Sequence, residues 1–300
     1  MEQLLSIVIG FTEQGLIYGV LVLGLYISYK ILNFPDLTVD GSFPLGAAVT
    51  AVMITMDINP WLTVLVSFVA GALAGLCTGL IHVKLRISDL LSGILVMTGL
   101  YSINLVIAGK SNLPFFERDT IFNSGPAALI PPRVGGYGVR VLLVSLVIVL
   151  VLKYALDWYL KTRSGTLLRA TGDNSQVVIA MGRNPGHVKI MGLSLANGLV
   201  ALSGSILCQQ QSFFEVTMGT GSMVAGLASV ILGVTLLKKL TFLRQTTMVI
   251  WGSIFYKSLI ALAIWLGLDS TLLRAVQSVL FLLILVVNRV TDKGGKKKHA

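Results

Sequence analysis

The chain has 300 residues, of which 55% are hydrophobic and only 12% charged, with a mean hydropathy of +0.85; soluble domains carry about 25% charged residues, so that class is excluded. The formal charge of +10 could suit a nucleic-acid binder, but the basic residues lie between apolar runs and at the C-terminus, a pattern that membrane topology explains and nucleic-acid binding does not. Cys77 and Cys208 both fall inside apolar runs, so no disulfide framework is indicated.

Apolar runs of roughly 17–25 residues can cross a bilayer as helices. The first, 4–29, starts without a basic leader and reads as a span, not a cleavable signal peptide. A polar, glycine-broken stretch covers 33–42, followed by a short apolar run at 43–57. Run 61–83 has Trp61 at one boundary and Gly71, Gly75 and Gly79 on one helix face; Gly15 and Gly19 repeat that spacing in the first run. Small residues at this interval let helix backbones approach closely. Run 90–108 leads into a long connection, 109–140, containing Pro114, Pro126, Pro131, Pro132, Gly135 and Gly136, which reads either as a landing surface for a partner or as a connector. Next come a run at 139–159 ending in Trp158 and Tyr159, a polar loop at 161–189 and a run at 190–208. A second glycine-broken stretch, 212–221, precedes a short run at 222–237; spans at 246–267 and 271–288 complete the series. The alternation of a membrane barrel is absent. The fold class is therefore an all-α polytopic membrane protein with eight or nine transmembrane segments, depending on whether 43–57 and 222–237 cross fully. It forms one transmembrane domain with halves near 1–138 and 139–288 and a tail at 289–300.

Charge bias sets the direction. The tail carries Arg289, Lys293, Lys296, Lys297 and Lys298 and is expected inside. Counting back places Lys238, Lys239 and Arg244, then Lys161, Arg163, Arg169, Arg183 and Lys189, then Lys84, Arg86 and Lys30 on the same side. The outer side receives only Lys110, Arg118, Arg133 and Arg140. The N-terminus is thus expected outside and the C-terminus in the cytoplasm.

The two broken stretches are related. Phe34, Asp36 and Thr38 match Phe213, Glu215 and Thr217; after a one-residue slip, Gly41, Ser42 and Gly46 match Gly221, Ser222 and Gly226. The topology puts 30–42 on the inner side and 209–221 on the outer side. Similar sequences in opposite orientations describe an inverted-topology repeat, and paired breaks of this kind point to a transport pathway. Irregular backbone survives in a bilayer only where protein or a water-filled cavity satisfies it.

The 161–189 loop spells a short helix. Asp173 or Asn174 can cap it, Val177 to Met181 form its body and Gly182 stops it. Asn184 and Pro185 then start the next helix as cap and first-turn proline.

The string Thr162-x-x-Gly165-x-x-x-Arg169-Ala170-x-Gly172-x-Asn174, followed by Ala180-x-Gly182-x-Asn184, resembles the coupling loop of ABC-transporter permeases of the branched-chain amino acid and ribose type. Gly19, Asn33, Phe34, Leu37, Gly41, Ser42, Gly46 and Ala47 resemble that family's first conserved region, and Asn197, Gly204, Gln209 and 226–233 its third. The wording is most similar to the tryptophan/tyrosine import permease subgroup. The resemblance implies a type II importer fold, a second permease copy in a homodimer, two cytoplasmic ATP-binding subunits and an extracytoplasmic solute-binding protein. It implies a prokaryotic plasma-membrane location and an ATPase-coupling loop made by Arg169, Ala170, Gly172, Asp173, Asn174, Ala180, Gly182 and Asn184. ATP and magnesium would sit on the partner, with no cofactor on this chain. Asp36 and Asp40 depart from the less acidic stretch usual in branched-chain permeases.

The translocation pathway or gate is assigned to Asn33, Phe34, Asp36, Asp40, Gly41, Phe213, Glu215, Thr217, Gly221 and Lys257. Asp36, Asp40 and Glu215 either shape the pathway or cap the half-helices beginning at Ser42 and Ser222. Lys257, deep in an apolar span, calls for an acidic or carbonyl partner, with Glu13 or Glu215 as candidates. Phe34, Phe213 and Phe214 either line a constriction or pack the core. His82, His187 and His299 lack metal-ligand spacing. Gly109-Lys110-Ser111 lacks the earlier glycine of a phosphate loop, Asn104 standing in its place, so the chain is not expected to be an enzyme. The competing reading is a stand-alone ion-coupled carrier using Asp36, Glu215 or Lys257.

Overall fold

The computed structural model describes residues 2–131, 138–238, 240, 242–268 and 272–296. The expected loop residues Pro132, Arg133, Gly135 and Gly136, the inner Lys239 and the tail residues Lys297, Lys298 and His299 lie outside them, as do the side chains of Arg289, Lys293 and Lys296.

The described chain is helical nearly throughout. Its long helices are α1 (Glu2–Leu25), α2 (Val39–Thr55), α3 (Pro60–Lys84), α4 (Asp89–Ala108) and α5 (Arg140–Tyr159). Two short helices, α6 (Arg163–Asp173) and α7 (Ser175–Ala180), precede α8 (Pro185–Gln211), α9 (Ser222–Leu236), α10 (Gln245–Trp265) and α11 (Leu273–Lys296). A small antiparallel pair, β1 (Asn112–Pro114) and β2 (Phe213–Glu215), ties two connections together. Among the described residues six helices are long and apolar enough to cross a membrane; Val39–Thr55, Ser222–Leu236 and Ala275–Val286 are apolar but shorter.

The centre of the bundle is α8, buried at Gly192 and Leu193 and continuously from Ala196 to Gln209. A helix enclosed on all sides must present small or apolar residues all round, and the buried stretch from Ala196 to Gln209 is small or apolar apart from Asn197 and Gln209 as large polar groups. The α3 glycine stripe meets it as the spacing predicts. A Cβ on Gly71 would meet the Asn197 carbonyl, one on Gly75 the Leu193 carbonyl, and one on Gly79 the Ile190 backbone. Falling α8 numbers against rising α3 numbers make the two helices antiparallel. Trp61 and Gly186 backbone N–H groups are answered by the caps Asn59 and Asn184.

Further contacts fix the other directions. Ile17 and Gly24 of α1 touch Ser203 and Ala196 of α8, so α1 is antiparallel to it. Ser42, Gly46 and Thr50 of α2 meet Asn197, Ala201 and Ser205, so α2 runs parallel to α8. On α9, Gly233 meets Met248 while Ser229 meets Gly252, making α9 antiparallel to α10. Since α10 is antiparallel to α1 (Gly15 on Ile254, Gly19 on Ile250), α2 and α9 run in opposite directions, as an inverted repeat requires.

Several sequence expectations change in detail. The first span does not stop at 29; α1 continues as a π-helical turn, Tyr26–Ile31. The short run expected from 43 begins at Val39, taking Asp40, Gly41 and Ser42 inside α2, and the run expected from 190 begins at Pro185. Residues 163–173, read as loop, form α6, because Gly165 and Gly172 that look like breakers instead allow close approach to Tyr159–Leu160 and to the Ile31 carbonyl. Asp173 therefore ends α6, and Asn174 alone caps α7 by accepting from the Gln176 N–H at 3.0 Å.

Candidate functional site

The depth of the two breaks follows from their neighbours. Ile31 and Leu32, where the first begins, lie against Gly172 and Gly192 near the α6 end of the bundle. Asp36 and Ser42, where it finishes, lie against Asn197, close to midway along α8. The second break starts at Ser212, left-handed with φ +60°, at the far end of α8, and returns to the level of Asp40. The breaks were expected at opposite faces; each starts near its own face, but both finish at the same interior level. At 1.5 Å per residue the 17 residues of α2 span roughly 26 Å and the 15 of α9 roughly 22 Å, short of a hydrocarbon core of about 30 Å.

The junction is made by Asp40. Its Oδ1 accepts from the Met223 N–H at 2.7 Å and the Ser222 hydroxyl at 2.9 Å, and its Oδ2 accepts from the Gly221 N–H at 3.0 Å. The first N–H groups of a helix lack intrahelical partners and carry the positive end of its dipole. The residue at the local cap position of α9 is Gly221, whose φ of +82° permits the turn but which has no side chain to cap with. A carboxylate from the first repeat supplies what the second lacks.

The start of α2 is held by a separate buried network. Asp36, fully buried, accepts from the Thr38 N–H at 2.9 Å and from Asn197 Nδ2 at 2.6 Å. Asn197 Oδ1 accepts from the Ser42 hydroxyl at 2.8 Å, the Thr38 and Thr78 hydroxyls lie 2.8 Å apart, and Asn104 Nδ2 donates to the Gly41 carbonyl at 3.1 Å. Helices α3, α4 and α8 each send one polar group to this end. Buried polar groups cost free energy unless paired, so the network fixes the position of α2.

The remaining expected pathway residues disperse. Phe34 is buried edge-on against His82, ring centroids 5.0 Å apart, and Asn33 is exposed with φ +54°. Phe213 and Glu215 lie in β2, opposite Pro114 and Asn112. Glu215 is exposed and accepts from the Thr217 hydroxyl at 2.5 Å, so it does not share a site with Asp36. Phe214 is core, packed with Ala47, Ala51 and Cys208. Lys257 finds an aromatic face in place of the expected carboxylate of Glu13 or Glu215: its Nζ lies 3.4 Å from the Tyr18 ring centroid. A cation over a desolvated ring gains about 2 kcal/mol.

At the α6 end, Val178 is buried while its neighbours Val177, Ile179 and Met181 are exposed, and Gly182, with φ +70°, ends the turn. The short helix is thus plugged into the bundle on one side and apolar on the other. Arg169 and Asp173 line a cavity beside it. Sequence reasoning missed the neighbouring Asp157, a buried carboxylate that pairs with Arg244 at 2.9 Å and Lys153 at 3.4 Å and accepts from the Thr246 hydroxyl at 2.6 Å. The i, i+4 spacing of Lys153 and Asp157 was the available signal.

Comparison with known proteins gives a consistent family. Residues 7–287 match the model of the branched-chain amino acid transport system permease component. A tyrosine transport system permease protein of Clostridioides difficile is 42% identical over 286 residues, covering 95% of this chain and 92% of that protein. The uncharacterized protein RP368 of Rickettsia prowazekii is 32% identical over 95% of this chain and 99% of its own length. The ribose import permease protein RbsC of Escherichia coli K12 is 28% identical over 67% of this chain and 60% of that protein.

Proposed function

Because the chain belongs to the family of branched-chain amino acid transport system permease components, we propose that it is the membrane subunit of an ATP-driven importer for an amino acid, in the first instance an aromatic one such as tyrosine. The observation that carries the mechanism is the Asp40 clasp between two short helices running in opposite directions. Half-helices that meet at their N-termini inside a bundle characterise transporter pathways. The 42% identical tyrosine transport permease supports the solute class.

In this reading two copies of the chain form the pathway in a prokaryotic plasma membrane, with the α6–α7 end cytoplasmic, the N-terminus outside and two ATP-binding subunits below. The apolar tip at Val177, Ile179 and Met181 seats in the ATPase. Closure of the ATPase pair displaces α7; Val178 and the Gly172–Ile31 contact pass that movement to the first break, and the Asp40 clasp passes it to the second. A rigid element with two positions is what such switching requires. The β1–β2 end faces the solute-binding protein. Catalysis of ATP hydrolysis belongs to the partner.

The test is reconstitution of the chain with its cognate ATPase and binding protein in proteoliposomes. Uptake of tyrosine or tryptophan should require internal ATP and saturate with loaded binding protein. Uptake by the permease alone, driven by an ion gradient, would establish the carrier reading instead.

A further inference from the structure

At the α6 end of the bundle a cavity of about 650 Å³ is lined by Lys30, Lys161, Arg169 and Arg244, with Asp157 and Asp173 the only carboxylates. The charge of Asp157 is already answered by Lys153, Arg244 and Thr246. Among the described residues Lys30, Lys161 and Arg169 form no ion pair, although all three converge on this one space. Set against the single remaining carboxylate of Asp173, these three cations leave the cavity with net positive charge.

Its location is specific. Lys30 lies in the last turn of the first span, Lys161 just beyond the end of α5 at Tyr159, and Arg244 immediately before Gln245 of α10. Three span ends on one side of the bundle define the headgroup level of a bilayer. A second hollow of about 530 Å³ adjoins the first through shared Lys30, Leu243 and Gln245; Val230, Ile231, Val234 and Met248 form its apolar wall, with Tyr29, Thr235 and Lys238 beside them. A basic cup at span ends that opens into a groove with one apolar wall has the two chemistries of one amphiphile. A free phosphate or a nucleotide would use the cup and leave the groove empty.

We propose that this is a binding site for an anionic phospholipid of the adjacent leaflet, its phosphate among Lys30, Lys161, Arg169 and Arg244 and an acyl chain along Val230, Val234 and Met248. Basic pockets between helix ends hold such headgroups by charge-assisted hydrogen bonds. The bound lipid joins α6, which bears Arg169, to the ends of α1 and α10. The inference concerns lipid and stands independently of which solute is carried.

Native mass spectrometry of the detergent-solubilised permease tests it, titrating phosphatidylglycerol against phosphatidylcholine of the same acyl chains. Phosphatidylglycerol should bind at least fivefold more tightly, and Lys30→Gln with Lys161→Gln should abolish that preference; both lysines are exposed, so folding is not at issue. Val234→Phe, which narrows the groove, should weaken phosphatidylglycerol without restoring phosphatidylcholine. Equal binding of the two lipids to the unaltered chain, or a preference that survives in the double variant, would overturn the site. Full displacement of phosphatidylglycerol by millimolar inorganic phosphate would also overturn it, in favour of a free-anion site.

Discussion

Asp40 and Met223 lie 183 positions apart, and the carboxylate of the first accepts the backbone N–H of the second at 2.7 Å. This one side chain joins the starts of two helices that run in opposite directions. Removing it as Asp40→Ala leaves the Gly221 and Met223 N–H groups and the Ser222 hydroxyl unanswered, at a cost of about 2–4 kcal/mol for charge-assisted bonds lost in a protected site. Asp40→Asn keeps an accepting oxygen but not the charge that favours a helix N-terminus, and should cost about half as much. Thermal unfolding in detergent should therefore rank the unaltered chain above Asn and Asn above Ala; an Ala variant as stable as the parent would refute the clasp.

The Asp36–Asn197 pair makes a sharper prediction. Asn197→Asp puts two carboxylates at a separation of 2.6 Å in a fully buried site, where an uncompensated charge costs about 3–5 kcal/mol. Little folded protein should be recovered. Exchanging the partners, Asp36→Asn with Asn197→Asp, restores one donor and one acceptor and leaves an oxygen for the Ser42 hydroxyl. Monodisperse yield by size exclusion should return in the double variant, because the coupling between two contacting groups is what single changes destroy.

Tyr18 and Lys257 test the form of the carrier that would couple ions through Lys257. Tyr18→Phe keeps the ring face under the ammonium and should be nearly silent, whereas Tyr18→Leu should lose about 2 kcal/mol of cation–ring attraction. Lys257→Met removes a charge that is costly within an apolar span and should leave stability equal or higher. In an ATP-driven importer that variant continues to transport; in a carrier coupling ions through Lys257 it stops. Uptake by Lys257→Met in the reconstituted system decides whether ions are coupled through Lys257.

Much of this arrangement was legible from residue order, for identifiable reasons. The spans stand out because apolar runs are bounded by lysines, arginines and proline- or glycine-containing turns, and Gly71, Gly75 and Gly79 announce a close helix contact that α8 supplies. The caps Asn174 and Asn184 act locally, through an N–H two residues on, and so were readable as well. Capping by Asp40 was one of the two roles its sequence offered, but its pairing with the second break was not legible, because similarity aligns Asp36 with Glu215 while contact joins Asp40 to Gly221: repeats are recognised by resemblance, but helix ends meet by complementarity. Helix α6 was hidden by Gly165 and Gly172, which weaken a helix locally and are favoured here by the backbone pressed against them. The partner of Lys257 was missed because a buried cation suggests a carboxylate, whereas helix packing placed an aromatic ring across from it.

The exposed face of α7 carries the final prediction. Ile179 and Met181 are 55% and 64% exposed, so Ile179→Asp and Met181→Asp should alter neither folding nor stability beyond roughly 0.5 kcal/mol, the usual scale of surface changes. An apolar contact with an ATPase groove would lose its driving force, since charged groups are depleted from interface cores. Pull-down of the ATPase should weaken and ATP-driven uptake should fall, while the unaltered melting temperature shows that the bundle survives. Gly182→Pro attacks the same device through the backbone. Gly182 has φ +70° and its N–H donates to the Ile179 carbonyl at 2.9 Å; proline fixes φ near −65° and has no N–H. The turn that orients α7 cannot form, so ATP turnover should continue on the partner without transport. If both the charge variants and Gly182→Pro transport normally, α7 is a connector between α6 and α8 and force enters the bundle elsewhere.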